Sequence, residues 1–151
     1  MTDTKIDEIL RHIHNVSSNC NLLGKKLIAA GEESFGITLI AHGLIHDNSK
    51  FFGIEWDDLN NADVEKRKPA IKQHQRTNPH HPEYWGSIHS MPDIYVAEMV
   101  CDWVARGGEL GKDVHDFIEK EAMVNYGFTE EDVIYEKIMK YLDLILTKFQ
   151  E

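Results

Sequence analysis

His46 and Asp47 stand side by side at the end of an apolar run, Leu44-Ile45-His46-Asp47-Asn48-Ser49-Lys50. An imidazole nitrogen and a carboxylate oxygen are both good ligands for a divalent metal. Adjacent residues on a helix project about 100° apart, so the pair can reach one ion only where the helix ends and the backbone turns. Asn48 and Ser49 favour such a turn. Nine histidines in 151 residues are the one compositional excess. Among them, His12 lies beside the apolar stripe of the first helical pattern, and His74, His80 and His81 surround a proline-rich loop. Asp102 follows Glu98 by four residues and shares its helical face.

The elements that must position these residues are helical. Ile6, Ile9, Leu10, Ile13, Val16, Leu23, Leu27 and Ile28 recur near a period of 3.6 and predict a long helix from about Asp3 to Ala30, stopped by Gly31. A second helix, Phe35 to about Asp47, is apolar on most sides and should be buried. Asn60-Asn61-Ala62-Asp63 is a breaker and N-cap cluster before a helix that runs to about Arg76. Asn78 to Gly86, with two prolines and a glycine, should be a loop. Ser90 and Pro92 should start a fourth strong helix, ended by Gly107-Gly108. A weaker helix over Lys112 to Asn125 follows, closed by Gly127. Thr129 to Asp132 looks like a capping box opening a last amphipathic helix through Ile138, Leu142, Ile145 and Phe149. No strand pattern is present. The expected fold is all-α, one domain over residues 1–151, with five to seven helices.

Composition bounds the function. A net charge of -10 argues against wrapping a nucleic-acid duplex. Cys20 and Cys101 make neither a disulfide framework nor a cysteine zinc site, and both read as buried thiols. The N-terminus lacks a signal-peptide core and no apolar run approaches membrane-spanning length, so the expected location is cytoplasmic and no membrane partner is expected.

The order His … His-Asp … His … His … Asp on helices resembles the HD-domain superfamily of metal-dependent phosphohydrolases. His12-Ile13-His14-Asn15-Val16 resembles its first-helix His-x-x-x-Val, and Leu44 to Lys50 is similar to its Leu-Leu-His-Asp-Ile-Gly-Lys. Asp102 matches the family's final aspartate, and the 34-residue interval from His12 to His46 is also similar. His74 with the 78–85 loop resembles the extra histidines of two-metal members. Asn-Pro-His-His-Pro-Glu-Tyr-Trp and Glu-Met-Val-Cys-Asp-Trp resemble an uncharacterised branch in phages and bacteria. The resemblance covers residues 10–105; the last third matches nothing nameable. It implies an HD-type helical domain holding one or two divalent ions (Mn, Co, Mg, Zn or Fe) on His12, His46, Asp47 and Asp102, with His74, His80 or His81 as further ligands. Nucleoside-monophosphate members usually carry a glutamate where this chain has Lys50, and the Gly-Tyr-Pro signature of cyclic-dinucleotide members is absent.

The implied substrate is a small phosphate ester, a nucleotide above all: a nucleoside monophosphate or a cyclic nucleotide. A metal held by two carboxylates and two imidazoles lowers the pKa of bound water and polarises a phosphoryl oxygen. Lys50 would neutralise phosphate, Glu98 would be the nearest base, and His74 or the loop histidines would hold a second ion or protonate a leaving group. Lys66, Arg67, Lys68, Lys72 and Arg76 place five of 16 basic residues in eleven positions. That cluster is either a solvated helix face or an anion-steering patch, in which Lys72 and Arg76 touch substrate. His81, Tyr84 and Trp85 would supply a ligand and a stacking wall. His42 reads as core packing, and His14, His89 and His115 as surface residues. The competing functions are a di-iron oxygenase on the same scaffold and a non-catalytic protein with a structural metal. Oligomeric assembly is compatible with either.

Overall fold

The structure is a computed structural model and describes residues 2–147. The expected continuation of the last helix to Phe149 lies outside the described residues. The described chain is all-α: α1 (Lys5–Ala29), α2 (Glu33–Ile45), α3 (Gly53–Asp58), α4 (Val64–Thr77), α5 (Pro82–Trp85), α6 (Asp93–Leu110), α7 (Val114–Phe117), α8 (Met123–Tyr126) and α9 (Val133–Leu146). A π turn, Ile118–Ala122, joins α7 to α8 in one continuous run. The longer runs, α1, α2, α4, α6, α7–α8 and α9, number six, within the expected five to seven.

α6 is the central helix and packs on α1, α2, α7 and α9. Its unbroken stretch Val96 to Cys101 is buried. Val16, Leu23 and Leu27 of α1, Leu39 of α2 and Ile138 and Leu142 of α9 close around it. Both thiols, Cys20 and Cys101, are buried and free, as expected.

α1 and α2 approach closely because glycines line their contact. A Cβ on Gly24 would lie 2.7 Å from the Gly36 carbonyl oxygen, and one on Gly43 would lie 2.7 Å from the Cys20 Cβ. Gly36→Ala would drive its new methyl into the backbone of Gly24, which cannot rotate away. The expected loss is about 1–3 kcal/mol in denaturant unfolding; an unchanged midpoint would show that the pair can separate freely.

This ridge also overturns one expectation. α2 is not buried on all sides. Gly36, Leu39 and Gly43 face α1 and the core, while Ile37, Leu44 and Ile45 are 55%, 71% and 62% exposed. The helix lies at the domain edge, so only the stripe that meets α1 and α6 is covered.

Three boundaries differ from the sequence reading. α6 does not stop at Gly107-Gly108 but runs to Leu110, with Gly111 in the left-handed conformation ending it. It starts at Asp93 behind Pro92, while Ser90 closes a separate 3-10 turn, Ile88–Ser90. The 78–86 loop contains one helical turn, α5, because Pro82 occupies its first position, where no N–H is needed. Thr129 and Asp132 do bond, 2.7 Å from the Thr129 N–H to the Asp132 carboxylate, but as a turn ahead of α9.

Candidate metal centre

The chain turn at His46-Asp47 is sharp. α2 ends at Ile45, His46 takes an extended ψ of 132°, and Asp47 sits at φ 56°, the one non-glycine residue with positive φ among those described. Aspartate tolerates this left-handed region better than most residues. The turn sends both side chains inward, so that His46 and Asp47 are 1% and 2% exposed.

Four histidines converge on the Asp47 and Asp102 carboxylates. His12 Nε2 is 3.0 Å from Asp102 Oδ1 and 3.5 Å from Asp47 Oδ2. His46 Nε2 is 3.4 Å from Asp47 Oδ2 and 3.7 Å from Asp102 Oδ2. His74 and His80 each place Nε2 3.2 Å from Asp47 Oδ1. His81, partly buried, has its ring centroid 4.3 Å from that of His80, tilted by 42°. Three candidate ligand groups result, His12/His46/Asp102, Asp47/His74/His80/His81 and His46/His80/Glu98, with ligand atoms in each group within 4.8 Å of one another. Asp47 stands between the first two, Oδ2 toward His12 and His46 and Oδ1 toward His74 and His80.

Behind this ring stands a second one of carboxylates. Each of the four converging histidines turns Nδ1 toward a glutamate. Glu109 takes His12 at 3.0 Å, Glu98 takes His46 at 2.9 Å and lies 3.3 Å from His80, and Glu55 takes His74. A carboxylate on Nδ1 fixes the tautomer and leaves the Nε2 lone pair free for a metal. Glu55 is itself held by the Ser49 hydroxyl at 2.9 Å, and Ser49 by the Asn78 amide at 2.9 Å. Asn15 donates to Glu109 at 3.2 Å.

The unpartnered atoms point the same way. His46 Nε2, His80 Nε2, His81 Nε2 and Asp47 Oδ1 are buried without a hydrogen-bond partner. Buried polar atoms are almost always satisfied; these four belong to the ligand groups, and the fifth such atom among the described residues, Arg67 Nε, lies outside them. Five carboxylates (Asp47, Glu55, Glu98, Asp102 and Glu109) face one buried ammonium, Lys50, with Arg106 at the rim. Buried charge of one sign needs counter-charge, and divalent ions supply it. Buried His/Asp/Glu clusters able to hold a metal ion are therefore a property of this fold.

Protons do that work in the metal-free protein. Burial opposes the imidazolium of His46, but Asp47, Glu98 and Asp102 override it and hold His46 well above the usual histidine range. His80 is likewise opposed by burial yet raised by Asp47 and Glu98 to about 9. Burial pushes Asp47, Asp102 and Glu98 up, and the facing histidines outweigh it and hold all three well below the carboxylate range. Burial and the charge of His80 push His81 down to about 3, which makes it a neutral donor. Metal must displace the protons on His46 and His80. Because those pKa values are raised, apparent metal affinity should climb with pH from 6 to about 9, and binding at pH 7 should release protons. Calorimetry in two buffers of different ionisation heat measures that release; heats independent of buffer would contradict it.

The remaining expectations divide. Lys50 is buried, with Nζ 2.8 Å from Asp47 Oδ2, and lines a cleft of about 380 Å³ above His12, Asp47, His74 and His81. Lys72 and Arg76 do not line it: α4 turns Ile71, His74 and Gln75 toward the cleft and leaves both cations in solvent. Tyr84 is exposed, and Trp85 donates its indole N–H to the Pro79 carbonyl at 2.8 Å, bracing the histidine loop rather than walling the cleft. The aromatic wall is built by Trp103 and Tyr126 instead. His14, His89 and His115 are exposed, as expected, and His42 reaches the Glu98 carboxylate at 3.2 Å.

Glu98 stands behind His46 and His80; it does not line this cleft but lines a neighbouring hollow of about 180 Å³ with His42, His46, Asp47 and His80. Glu98→Ala should weaken metal binding by about 10–100-fold, with turnover returning when metal is raised to saturation. Turnover that stays low at saturating metal would support the base assignment. His74 is held between Glu55 and Asp47 and belongs to the Asp47 group that could hold an ion.

Glu55 and Glu109 escape the sequence reading. Glu109 follows Asp102 by seven residues, two turns along the same face, but the Gly-Gly pair masks the helix that carries it. Glu55, buried between Ile54 and Trp56, gives only the weak signal of a lone acid in an apolar run.

The sequence model of a family of unknown function (DUF5662) matches residues 1–148. The chain belongs to this family. No curated protein and no solved structure matches it. Among the described residues no helix is long and apolar enough to cross a membrane.

Proposed function

We propose that this DUF5662 member is a metal-dependent phosphohydrolase of the HD type, acting on a phosphate ester of a small molecule, with a nucleotide as the favoured substrate. One observation carries this reading: the Asp47 carboxylate faces His12 and His46 with one oxygen and His74 and His80 with the other, at the floor of a cleft that also presents the cations Lys50 and Arg106. The ligand order along the chain, His12, His46-Asp47, His74, His80, Asp102, is also that of the HD superfamily.

The donor set fits divalent ions, with imidazoles braced by carboxylates and a carboxylate between the two groups. Bound there, such ions supply Lewis acidity that lowers the pKa of water and polarises a phosphoryl oxygen. The protein's own groups do the rest. Lys50 offers its ammonium beside Asp47, where a phosphoryl oxygen would approach. Arg106, half exposed and 3.4 Å from Glu109, can turn toward the ester. His81 is neutral, which suits ligation and not proton donation. The walls of the cleft limit the water around the ester.

The same histidine-rich, carboxylate-bridged donor set also suits two irons, and it favours a di-iron oxygenase as the second reading. Lys50 and Arg106 weigh toward phosphate. A phosphate-release screen over nucleotides, with the protein loaded in turn with Mn, Co, Mg and Zn, separates the two. Release supports the hydrolase. No release with any metal, together with oxygen consumption by the iron-loaded protein, overturns it.

A further inference from the structure

Trp103 follows the ligand Asp102 on α6, and Arg106 lies one turn further on. Both line the metal cleft, and both also line a second hollow of about 110 Å³ on the far side, closed by Gly107, Leu110 and Phe117. The two spaces are therefore neighbours across one pair of side chains. Their characters differ. The cleft is floored by histidines and carboxylates, whereas the hollow is walled by an indole, a phenyl ring and a leucine, with the exposed Lys112 and Glu121 also lining it.

The indole is held rigidly. Phe117 meets it edge-on at 5.2 Å, and Tyr126 lies nearly parallel at 6.5 Å, tilted by 10°. The Tyr126 hydroxyl in turn faces Glu83 of the histidine loop, and burial together with that carboxylate raises its pKa. The α7–α8 run thus clamps Trp103 against the site, which gives the last third of the chain a role there. Gly107 keeps the hollow open at its base. A Cβ at that position would press 3.0 Å from the Lys112 carbonyl oxygen, where the chain closes after α6.

Resting on the phosphohydrolase reading, we infer that the substrate is a phosphomonoester bearing a planar ring, and that the ring lodges against Trp103 in this hollow. From Asp102 to Arg106 the helix rises roughly 6 Å, a short linker's reach from a phosphoryl group to a ring. Arg106, at the boundary, holds the ester while the ring passes it. A volume of about 110 Å³ exceeds the roughly 30 Å³ share of one liquid water several-fold, so it accepts one ring-sized group. A polyol phosphate would press hydroxyls against the indole, phenyl and leucine walls, which offer them no partner.

Metal-loaded protein is assayed on adenosine 5′-monophosphate, phenyl phosphate, butyl phosphate and glycerol phosphate. The two ring-bearing esters should be cleaved with kcat/KM at least tenfold above the other two. Trp103→Ala should raise KM about tenfold for the ring-bearing esters alone, while Trp103→Phe restores it. Leu110→Asp, at a position 57% exposed, places charge at the hollow without touching the core and should act the same way. Equal kcat/KM for phenyl and glycerol phosphate, or a uniform loss across all four esters in both Trp103→Ala and Leu110→Asp, overturns the inference. Butyl phosphate cleaved as well as phenyl phosphate overturns it too, since the hollow then takes any apolar group. Indole fluorescence, titrated with adenosine 5′-monophosphate and with glycerol phosphate, needs no turnover. If no ester is cleaved, the hydrolase reading fails. Quenching by the nucleotide alone then still supports the ring site, and equal or absent quenching by both removes it.

Discussion

Asp47→Ala should strip metal from both ligand groups that meet at this carboxylate and abolish turnover. The carboxylate sends Oδ2 toward His12 and His46 and Oδ1 toward His74 and His80, so a single truncation reaches every converging histidine. Loss of an outer carboxylate alone can cost about 10–100-fold in affinity; loss of the shared ligand should exceed that. Stability should fall by about 3–5 kcal/mol, because Lys50 is left buried without its partner. Alanine also fits poorly at φ 56°. Asp47→Asn tolerates the left-handed turn and separates the two effects: metal is lost without backbone strain. His14→Ala and His115→Ala, both on the surface, should bind metal as the wild type does. Metal content measured beside thermal unfolding decides the matter. Full occupancy in Asp47→Asn would refute the shared-ligand arrangement.

Lys50→Met should lower kcat/KM by about 2–4 kcal/mol while leaving metal content near the wild-type level. The magnitude is that of one preorganised charge removed from a partly dry site. The side chain is 8% exposed and bound to Asp47, so it is already in place before substrate arrives. Kinetics on a nucleotide found in the phosphate-release screen would measure this. Unchanged kcat and KM would mean that the ammonium only neutralises Asp47 and never meets phosphate. A combined loss of metal and activity would mean that Lys50 chiefly holds the Asp47 turn.

The centre was legible where its chemistry is local. His46-Asp47 announces a helix end, and the left-handed Asp47 is that end. His12, His74, His80 and Asp102 follow from residue type and from the order in which they occur. What was illegible is what depends on how helices meet. Lys72 and Arg76 are strong charges on α4, yet helical phase turns them away, and only the position of α3 and α5 against α4 tells which phase faces inward. Trp85 sits in the histidine loop but spends its indole N–H on Pro79, whereas Trp103 and Tyr126 become the wall only once α8 folds back over α6. The apolar face of α2 misled for a related reason. Burial requires a neighbour as well as an apolar surface, and the glycine ridge gives α2 its close neighbour on one side only.

The most direct measurement is the metal-to-protein ratio by elemental analysis, after the purified protein is loaded with Mn and freed of loose ions. Two ligand groups meeting at Asp47 predict two ions per chain in the wild type, and none in Asp47→Asn. A wild-type protein that retains no metal after loading at pH 8, where proton competition is reduced, would contradict the account at its centre.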